Sequence, residues 1–240
     1  MQFIALRYLH VIDAYWSIEN VSDERVDIPI VPDGCMDIIC KNGALILVGA
    51  MDEGIVVASE VWDFSFGIRF KPGVLPVLLG IEGHVFTNKI VPLQEVNAHL
   101  YALLDFKTLP PSVERLNTIF EEAFRDVSLN NTVTFAIHEI VTCKGDIAID
   151  TVVDALHVSP RQLQRLFLRY VGVSPKKFAN IIRFFYMFKT LIKTGTDDLA
   201  QKAYEMGYCD QAHFNKEFKK FSSFSPNHEM MSLFYKTNSL

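Results

Sequence analysis

The second half of the sequence contains a pattern that is typical of a helix-turn-helix. Asp150 to Leu156 is predicted as a short helix, His157-Val158 as a tight turn, and Ser159-Pro160 as the start of a second helix. Ser at a helix start accepts a free backbone N–H, and Pro at the first helical position loses no intrahelical bond. Apolar residues then recur at the spacing of one buried helix face, at Leu163, Leu166, Phe167 and Tyr170. Two helices joined by so short a turn are a helix-turn-helix.

The pattern returns about fifty residues later. Asp197 to Met206 is predicted as a helix, Gly207 to Cys209 as a turn, and Asp210 as the cap of a second helix that carries apolar Phe214, Phe218 and Phe221. One long helix, Pro175 to Lys193, is predicted between the two units and would span roughly 28 Å. Successive major-groove faces of DNA lie about 34 Å apart. A connector of this length could therefore hold two reading helices near one helical turn of DNA apart.

The outer faces of the two second helices carry groups that suit DNA. Arg pairs bidentately with guanine, Gln or Asn pairs with adenine, and Lys or Arg beside them neutralises phosphates. The alternative is that these are ordinary exposed helix residues. The candidate DNA-binding residues are Arg161, Gln164, Arg165, Arg169, Gln211, Ala212, Asn215, Lys216, Lys219 and Lys220.

The charge distribution divides the chain in two. Residues 1–131 carry a net charge of −9 and residues 132–240 a net charge of +4, and Ser159 to Thr196 holds eight basic residues and no acid. The polar segment Ser128 to Thr132 separates the halves. Such asymmetry favours two domains, the second facing a polyanion, although charge runs are also common on solvated faces. We expect a domain over 1–127, a linker over 128–133 and a domain over 134–240.

Short apolar runs and turns fill the first seventy residues. Pro32-Asp33-Gly34 is a turn signal, and Trp62 to Phe70 alternates large apolar with smaller or polar residues. Several short strands at regular spacing predict a small sandwich or barrel. From Pro72 the period becomes helical, with helices expected over Pro72 to Gly80, Pro92 to Phe106 and Ser112 to Val127. The fold class is therefore α+β, a small β-barrel with helices followed by an all-α domain.

From about Asp146 to Met230 the sequence resembles the DNA-binding domain of the AraC/XylS transcriptional regulators. The motifs that carry the resemblance are Ser159-Pro160-Arg161-Gln162-Leu163-Gln164-Arg165-Leu166-Phe167, Gly172-Val173-Ser174-Pro175 with Arg183, Gly207-Tyr208, Asp210-Gln211-Ala212-His213-Phe214 and Ser225-Pro226. The resemblance implies seven helices, with two helix-turn-helix units joined by a long central helix. It implies that Arg161, Gln164 and Arg165 face bases in one major groove. It places Gln211, Ala212, Asn215 and Lys216 at the next groove.

Some positions depart from the family pattern. His157 stands where a Gly is usual in the first turn, so we expect it to adopt a positive φ. Lys202 stands where an apolar residue is usual, before Ala203. The run Phe184 to Phe188 is unusually apolar, and it serves either the core of the domain or docking against another surface.

The first half resembles the acidic N-terminal domain of one AraC-like subgroup. The matching phrases are Pro32-Asp33-Gly34-Cys35-Met36-Asp37-Ile38, Gly49-Ala50-Met51 and Gly67-Ile68-Arg69-Phe70-Lys71-Pro72-Gly73. The resemblance implies a half-cupin that binds a small effector, mediates dimerisation, or both. Candidate effector-binding residues are Trp62, Phe64 and Arg69, whose alternative roles are barrel core for the aromatic residues and a solvated or structural ion pair for Arg69. Asp33 and Asp37 could contact an effector, with turn capping as the alternative.

We therefore expect a sequence-specific transcription regulator with double-stranded DNA as partner, and with a small-molecule effector, a second copy of the chain and RNA polymerase as further partners. No H-x-H or H-x-x-x-H pair, G-x-S-x-G elbow or phosphate loop is present, so we expect no enzyme, metal or cofactor. The alternatives are a cupin-type enzyme or ligand-binding protein with a basic protein-interaction domain. Four sparse cysteines and the lack of a membrane-length apolar run favour the cytoplasm.

Overall fold

The computed structural model describes residues 2–4, 11–20, 24–60, 63–104, 112–125 and 127–226. Within these ranges an N-terminal part of strands and short helices precedes an all-helical part. Each part has its own cluster of buried apolar side chains. The α+β fold class and the helical second half predicted from the sequence are confirmed.

Strands come first along the described chain, and short helices follow them. The strands are β1 (Gln2–Ile4), β2 (Ile12–Glu19), β3 (Val26–Ile30), β4 (Met36–Lys41), β5 (Ala44–Val48), β6 (Ile55–Ser59), β7 (Phe64–Phe70) and β8 (Ile90–Pro92). The helices of this part are α1 (Leu75–Leu79), α2 (Leu93–Val96), α3 (Ala98–Leu103) and α4 (Val113–Ala123), with a 3₁₀ turn at Gly83–Phe86.

Six of the strands form one antiparallel sheet in the order β1-β2-β7-β4-β5-β8, and β3 pairs with β6 in a separate two-stranded sheet. The turn between β4 and β5 consists of Asn42 and Gly43, both at positive φ (49° and 81°). This Asn-Gly pair is the sequence signature of a type I′ hairpin, whose twist matches that of the strands it joins.

The prediction of a small β-barrel is wrong, because the described strands form no closed barrel. The six-stranded sheet ends in β1 at one edge and in β8 at the other, and neither pairs with β3 or β6. Both edge strands are only three residues long, so they offer few hydrogen bonds for closure. The two-stranded sheet instead faces the larger sheet across a cavity that residues of both sheets line.

Residue alternation along the strands separates the two faces of the large sheet. Met36, Ile38 and Cys40 of β4 are buried in the N-terminal core, whereas Asp37 and Ile39 point to the opposite face, toward β3 and β6. Helices α1, α3 and α4 cover the first face. Their core residues are Leu75, Leu79, Leu100, Leu116 and Phe120.

The helix predicted over Pro92 to Phe106 is broken in two at Asn97. This residue has an extended φ of −151°, and its side chain accepts a hydrogen bond from the N–H of Leu100, which starts α3. Asparagine side chains compete in this way with helix continuation. The helix predicted to begin after Ser112 is confirmed, because Ser112 Oγ accepts from the N–H of Arg115.

The helical part packs around one long central helix. Its described helices are α5 (Asn131–Thr142), α6 (Ile149–Leu156), α7 (Pro160–Tyr170), α8 (Pro175–Thr194), α9 (Leu199–Glu205) and α10 (Gln211–Ser222). Helix α8 contributes Phe178, Ile181, Phe184 and Leu191 to the core. In the apolar run, Phe184, Met187 and Phe188 are buried, so this run forms mainly core.

Helix α5 begins at Asn131, inside the segment 128–133 predicted as a linker. Asn130 caps it by accepting a hydrogen bond from the N–H of Val133 at 3.1 Å. The start of the helical part is thus fixed by a capping residue that lies in the polar segment. Residues after 226, which would include the end of the implied seven-helix fold, lie outside the described part of the chain.

Candidate nucleic-acid interface and ligand pocket

The first helix-turn-helix consists of α6, a short turn and α7. His157 in the turn adopts φ 52° and ψ 39°, the left-handed conformation expected from its place in the pattern. Ser159 Oγ accepts a hydrogen bond from the N–H of Gln162 at 3.2 Å and so caps α7. Leu163 and Phe167 on the inner face are fully buried. The outer face exposes Arg161, Gln164, Arg165 and Arg169.

The second helix-turn-helix consists of α9, a turn that contains Gly207 at φ 75°, and α10. Asp210 caps α10 by accepting a hydrogen bond from the N–H of His213 at 2.7 Å. Phe214 and Phe218 are fully buried. The opposite face exposes Gln211, Ala212, Asn215, Lys216, Lys219 and Lys220.

The central helix α8 is joined to the second unit by a buried arginine. Arg183 is 8% exposed, and its Nη1 donates to the carbonyl oxygen of Gly207 at 3.3 Å. Its Nη2 pairs with Glu217 on α10 at 3.2 Å, and its guanidinium lies 4.6 Å from the ring centre of Tyr208. The Arg183 side chain therefore fixes the turn and the recognition helix of the second unit to the central helix α8. The sequence motif contained Arg183, but nothing in its spacing showed this role.

Lys202 has a structural role at its unusual position. Its Nζ donates to the carbonyl oxygen of Gly195 at 3.0 Å, just after the end of α8. A basic group there satisfies a carbonyl that the helix leaves without an internal partner. Lys202 thus helps to cap the C-terminal end of α8.

A cavity of about 160 Å³ lies between the six-stranded and two-stranded sheets of the N-terminal part. Most of its wall is apolar. The apolar residues include Trp16, Ile18, Ile28, Ile30, Val31, Ile39, Ile46, Val48, Met51, Ile55, Val57 and Ile90, and the charged ones are Asp33, Asp37, Lys41 and Arg69.

Arg69 is held at the cavity wall by two carboxylates. Its Nη1 lies 2.9 Å from Asp33 Oδ2, and its Nε lies 3.4 Å from Asp37 Oδ1. Trp16 Nε1 donates to the same Asp37 oxygen at 2.9 Å. Burial raises the pKa of the Asp37 carboxyl above its ordinary value, although Arg69 and the Trp16 hydrogen bond act in the opposite direction. Asp33 also accepts a hydrogen bond from the N–H of Cys35 at 2.9 Å, so it caps the turn as well.

The structure separates the three predicted effector residues. Arg69 lines the cavity, with 21% of its side chain exposed. Phe64 is half-buried and packs against the N-terminal core, so it is not among the cavity-lining residues. Trp62 lies outside the described residues.

Sequence reasoning did not single out Trp16 as part of the cavity. On the neighbouring strand, Gly67 pairs with Trp16, and a Cβ at Gly67 would overlap the indole ring. The absence of a side chain at this position lets the ring lie flat against the sheet. One sequence signal could have identified this side of the cavity. Asp37, Ile39 and Lys41 alternate along β4 with the core residues Met36, Ile38 and Cys40, so they lie on the opposite face of the strand.

Two loops that line the cavity also contact the helical part. In the first, Val31 packs against the helical core, and a Cβ on Gly34 would lie 2.6 Å from Cε2 of Phe178 on α8. In the second, residues 49–54, Asp52 pairs with Lys177 on α8 at 2.8 Å. Both loops therefore join the cavity to the central helix.

The same second loop reaches the end of the second recognition helix. Ser223 Oγ, just after α10, donates to the carbonyl oxygen of Gly54 at 3.2 Å. A further bond links Thr87 Oγ1 to the carbonyl oxygen of Gly172, after α7, at 2.7 Å. The N-terminal part is thus bonded close to the C-terminal ends of both recognition helices.

Within the described ranges no group of three His, Cys, Asp or Glu side chains could hold a metal ion. No described helix is long and apolar enough to cross a membrane. The four cysteines are free thiols.

Comparisons with known proteins match the two parts separately. A family of helix-turn-helix domains matches residues 152–230, and a domain of unknown function, DUF6597, matches residues 7–92. The HTH-type transcriptional regulator MtrA of Neisseria gonorrhoeae is 37% identical over 78 residues, which are 32% of this chain and 26% of that protein. The chain thus spans about a quarter of this curated relative.

Among solved structures, ToxT from Vibrio cholerae aligns with a TM-score of 0.49 at 15% identity, over 91% of this chain and 98% of that one. An AraC-type DNA-binding domain-containing regulator from Chromobacterium violaceum aligns with a TM-score of 0.39 at 20% identity, over 45% of this chain and 95% of that one. The two helix-turn-helix units on one central helix, the matched helix-turn-helix domain and the likeness to the regulator MtrA all agree with the resemblance of the second half to the AraC/XylS transcriptional regulators.

Proposed function

We propose that this protein is a sequence-specific DNA-binding regulator of transcription that inserts α7 and α10 into adjacent major grooves. The observation that carries the proposal is the pair of capped, amphipathic second helices, each with polar and basic side chains exposed opposite a buried apolar stripe. A second helix that presents its outer face to base edges is the docking mode of helix-turn-helix proteins.

In the first unit, Arg161, Gln164 and Arg165 are proposed to contact bases, and Arg169 to contact a phosphate. All four are exposed on α7, and Leu163 and Phe167 hold the opposite face in the core. Arg suits guanine because its two N–H groups match O6 and N7, and Gln suits adenine for the corresponding reason.

In the second unit, Gln211, Ala212, Asn215 and Lys216 are proposed to contact bases. Ala212 can accept a thymine methyl group, while the amides of Gln211 and Asn215 suit adenine. Lys219 and Lys220, in the last turn of α10, are proposed to contact phosphates. Each such contact releases counterions, so binding should weaken as salt increases.

The length of the central helix α8 supports the binding of α7 and α10 in two adjacent major grooves. Helix α8 has 20 residues, which corresponds to roughly 30 Å at 1.5 Å per residue. The faces of successive major grooves are about 34 Å apart. Arg183 binds the second helix-turn-helix unit to α8, and this limits how far α10 can move relative to α7.

We propose that a small effector bound in the cavity modulates DNA binding. The walls of the cavity include Asp33 from one loop and Gly49 and Met51 from another, and these two loops contact α8 and the end of α10. A ligand that moves either loop would change contacts that hold the helical part. A ligand shifts such an equilibrium only as far as its affinities for the two arrangements differ.

A homodimer and a contact with RNA polymerase remain predictions of the family resemblance, as does the cytoplasmic location. No catalytic step is part of the proposal.

The test is binding to a duplex selected from a random pool, followed by a series of single mismatches at constant salt. A regulator that reads bases loses about 1–3 kcal/mol per mismatched pair within the site. Equal affinity for all duplexes would instead indicate a general polyanion-binding surface, and no DNA binding at any salt concentration would favour an acidic protein as the partner of the basic helices.

A further inference from the structure

The chemistry of the cavity wall indicates which class of ligand it takes, provided that the cavity is the effector site proposed above. Its volume of about 160 Å³ corresponds to on the order of ten water-sized spheres. A ligand of on the order of ten non-hydrogen atoms would fill it. Because branched aliphatic side chains such as Ile28, Ile39, Ile46 and Val57 form most of the wall, the body of that ligand must be apolar.

Two carboxylates and two basic groups lie in the wall, and Asp63 behind it pairs with one of the basic groups, so the set as a whole has one more carboxylate than basic groups. The guanidinium of Arg69 faces two carboxylates, with Asp33 at 2.9 Å and Asp37 at 3.4 Å. The other basic group of the wall, Lys41, is already paired with Asp63 at 3.4 Å and donates to the carbonyl oxygen of Ala58 at 3.1 Å. Asp37 is only 8% exposed, and it shares Arg69 with Asp33.

An anionic ligand is disfavoured by this arrangement. To reach Arg69, a carboxylate would have to displace Asp33 from its 2.9 Å contact or add a third negative charge beside Asp33 and Asp37. Like charges at such distances repel more strongly where burial lowers the local dielectric constant, as it does around Asp37. A positively charged group of the ligand beside Asp37 would instead offset the negative charge of this carboxylate, which lies farther from Arg69 than Asp33 does.

The environment of Asp37 supports the same conclusion. Burial raises the pKa of its carboxyl above the ordinary value, which means that Arg69 and Trp16 compensate its negative charge incompletely. A buried carboxylate in an otherwise apolar cavity is a strong local binding group for a cation, because few other groups compete for it.

We propose that the cavity binds a small apolar amine, with its ammonium group beside Asp37 and its apolar body between the two sheets.

The test uses three ligands of similar size that differ in their polar end. Phenethylamine, 2-phenylethanol and phenylacetate are titrated calorimetrically into the full chain at neutral pH, without DNA. We expect the amine to bind at least tenfold more tightly than the alcohol, and phenylacetate to bind most weakly. Phenylacetate binding as tightly as the amine, equal affinity for the amine and the alcohol, or no binding of the amine overturns the proposal.

A variant that removes the negative charge of Asp37 tests whether the ammonium group binds beside this residue. Asp37→Asn keeps the size of the side chain and can still accept the Trp16 hydrogen bond. We expect it to weaken phenethylamine binding at least tenfold and to change 2-phenylethanol binding less than twofold. The matched control is Asp27→Asn, which removes an exposed carboxylate from β3 and should change neither affinity. An unchanged amine affinity in folded Asp37→Asn protein overturns the placement, and the ligand series on the unaltered chain remains decisive if that variant does not fold.

The two proposals fail separately in these measurements. Sequence-specific DNA binding without a preference for the amine overturns the ligand class and leaves the regulator intact. Preferential binding of the amine by a chain that binds no DNA supports the ligand class and overturns the regulator.

Discussion

The contact between Gly34 and α8 allows a quantitative test of how the two parts of the chain are joined. Gly34 has φ 83°, and a Cβ there would lie 2.6 Å from Cε2 and 3.2 Å from Cδ2 of Phe178. The Phe178 ring is fully buried and packs edge-on against Phe167, with ring centres 5.8 Å apart. It therefore cannot turn away without disturbing the helical core.

Gly34→Ala should have two unfavourable effects, and Gly43→Ala should have one of them. Gly43 has nearly the same φ, 81°, but a Cβ there would meet no atom within 4 Å. Both substitutions place a side chain in the left-handed region, which costs about 1–2 kcal/mol. Only Gly34→Ala adds overpacking, worth about 1–3 kcal/mol. The difference between the two variants is thus the steric cost of adding a methyl group where the loop contacts α8.

Differential scanning calorimetry of the full chain measures this difference. For a chain of this size, 1 kcal/mol corresponds to about 2–4 °C in Tm, so Gly34→Ala should melt about 2–12 °C below Gly43→Ala. Increased amide exchange at the start of α8 should accompany the change, since the loop is forced away from Phe178. Equal melting temperatures for the two variants would refute the claim that Gly34 is pressed against the helical part.

Two further predictions concern ion pairs of very different burial. Asp52→Asn and Lys177→Ala should each destabilise the contact between the parts by no more than about 1 kcal/mol, because this ion pair is partly exposed. In a double-mutant cycle, 1 M salt should abolish the coupling energy between the two side chains. Although burial opposes it, hydrogen bonds from Lys177 and Asn88 hold the pKa of Asp52 below its ordinary value, so the coupling should be complete above about pH 4 and lost as the pH falls further. Arg183→Met should cost about 3–5 kcal/mol in urea unfolding, because it leaves Glu217, whose side chain is only 14% exposed, without its ion-pair partner. A loss below about 1 kcal/mol would contradict the role of Arg183.

The helical half was predictable because local signals and the fold agree. Ser159, Ser174 and Asp210 cap the helices that follow them, and the apolar spacing of α7 and α10 gives the residues that the core buries. The positive φ of His157 also followed from its place in the turn. These features depend on residues close together in the chain, so the sequence displays them directly.

The N-terminal half was less predictable because its arrangement depends on strands distant in the sequence. Whether the strands close into a barrel depends on which edges pair, and β1 and β8 are too short to show this in their patterns. The cavity requires β3 and β6 to lie against β4 and β7, and no local signal specifies that packing. The contact of Gly34 with Phe178 likewise joins residues more than a hundred positions apart.

The central claim is that α7 and α10, which α8 connects, bind independently in two adjacent major grooves. Hydroxyl-radical footprinting on a selected duplex tests it with Arg165→Ala and Lys216→Ala, together with Arg125→Ala and Lys71→Ala as controls that remove exposed charges from the N-terminal part. We expect two protected zones centred about 10 base pairs apart, with Arg165→Ala weakening one zone, Lys216→Ala the other, and the controls neither. Protection that weakens equally across the whole site in both variants would contradict the claim.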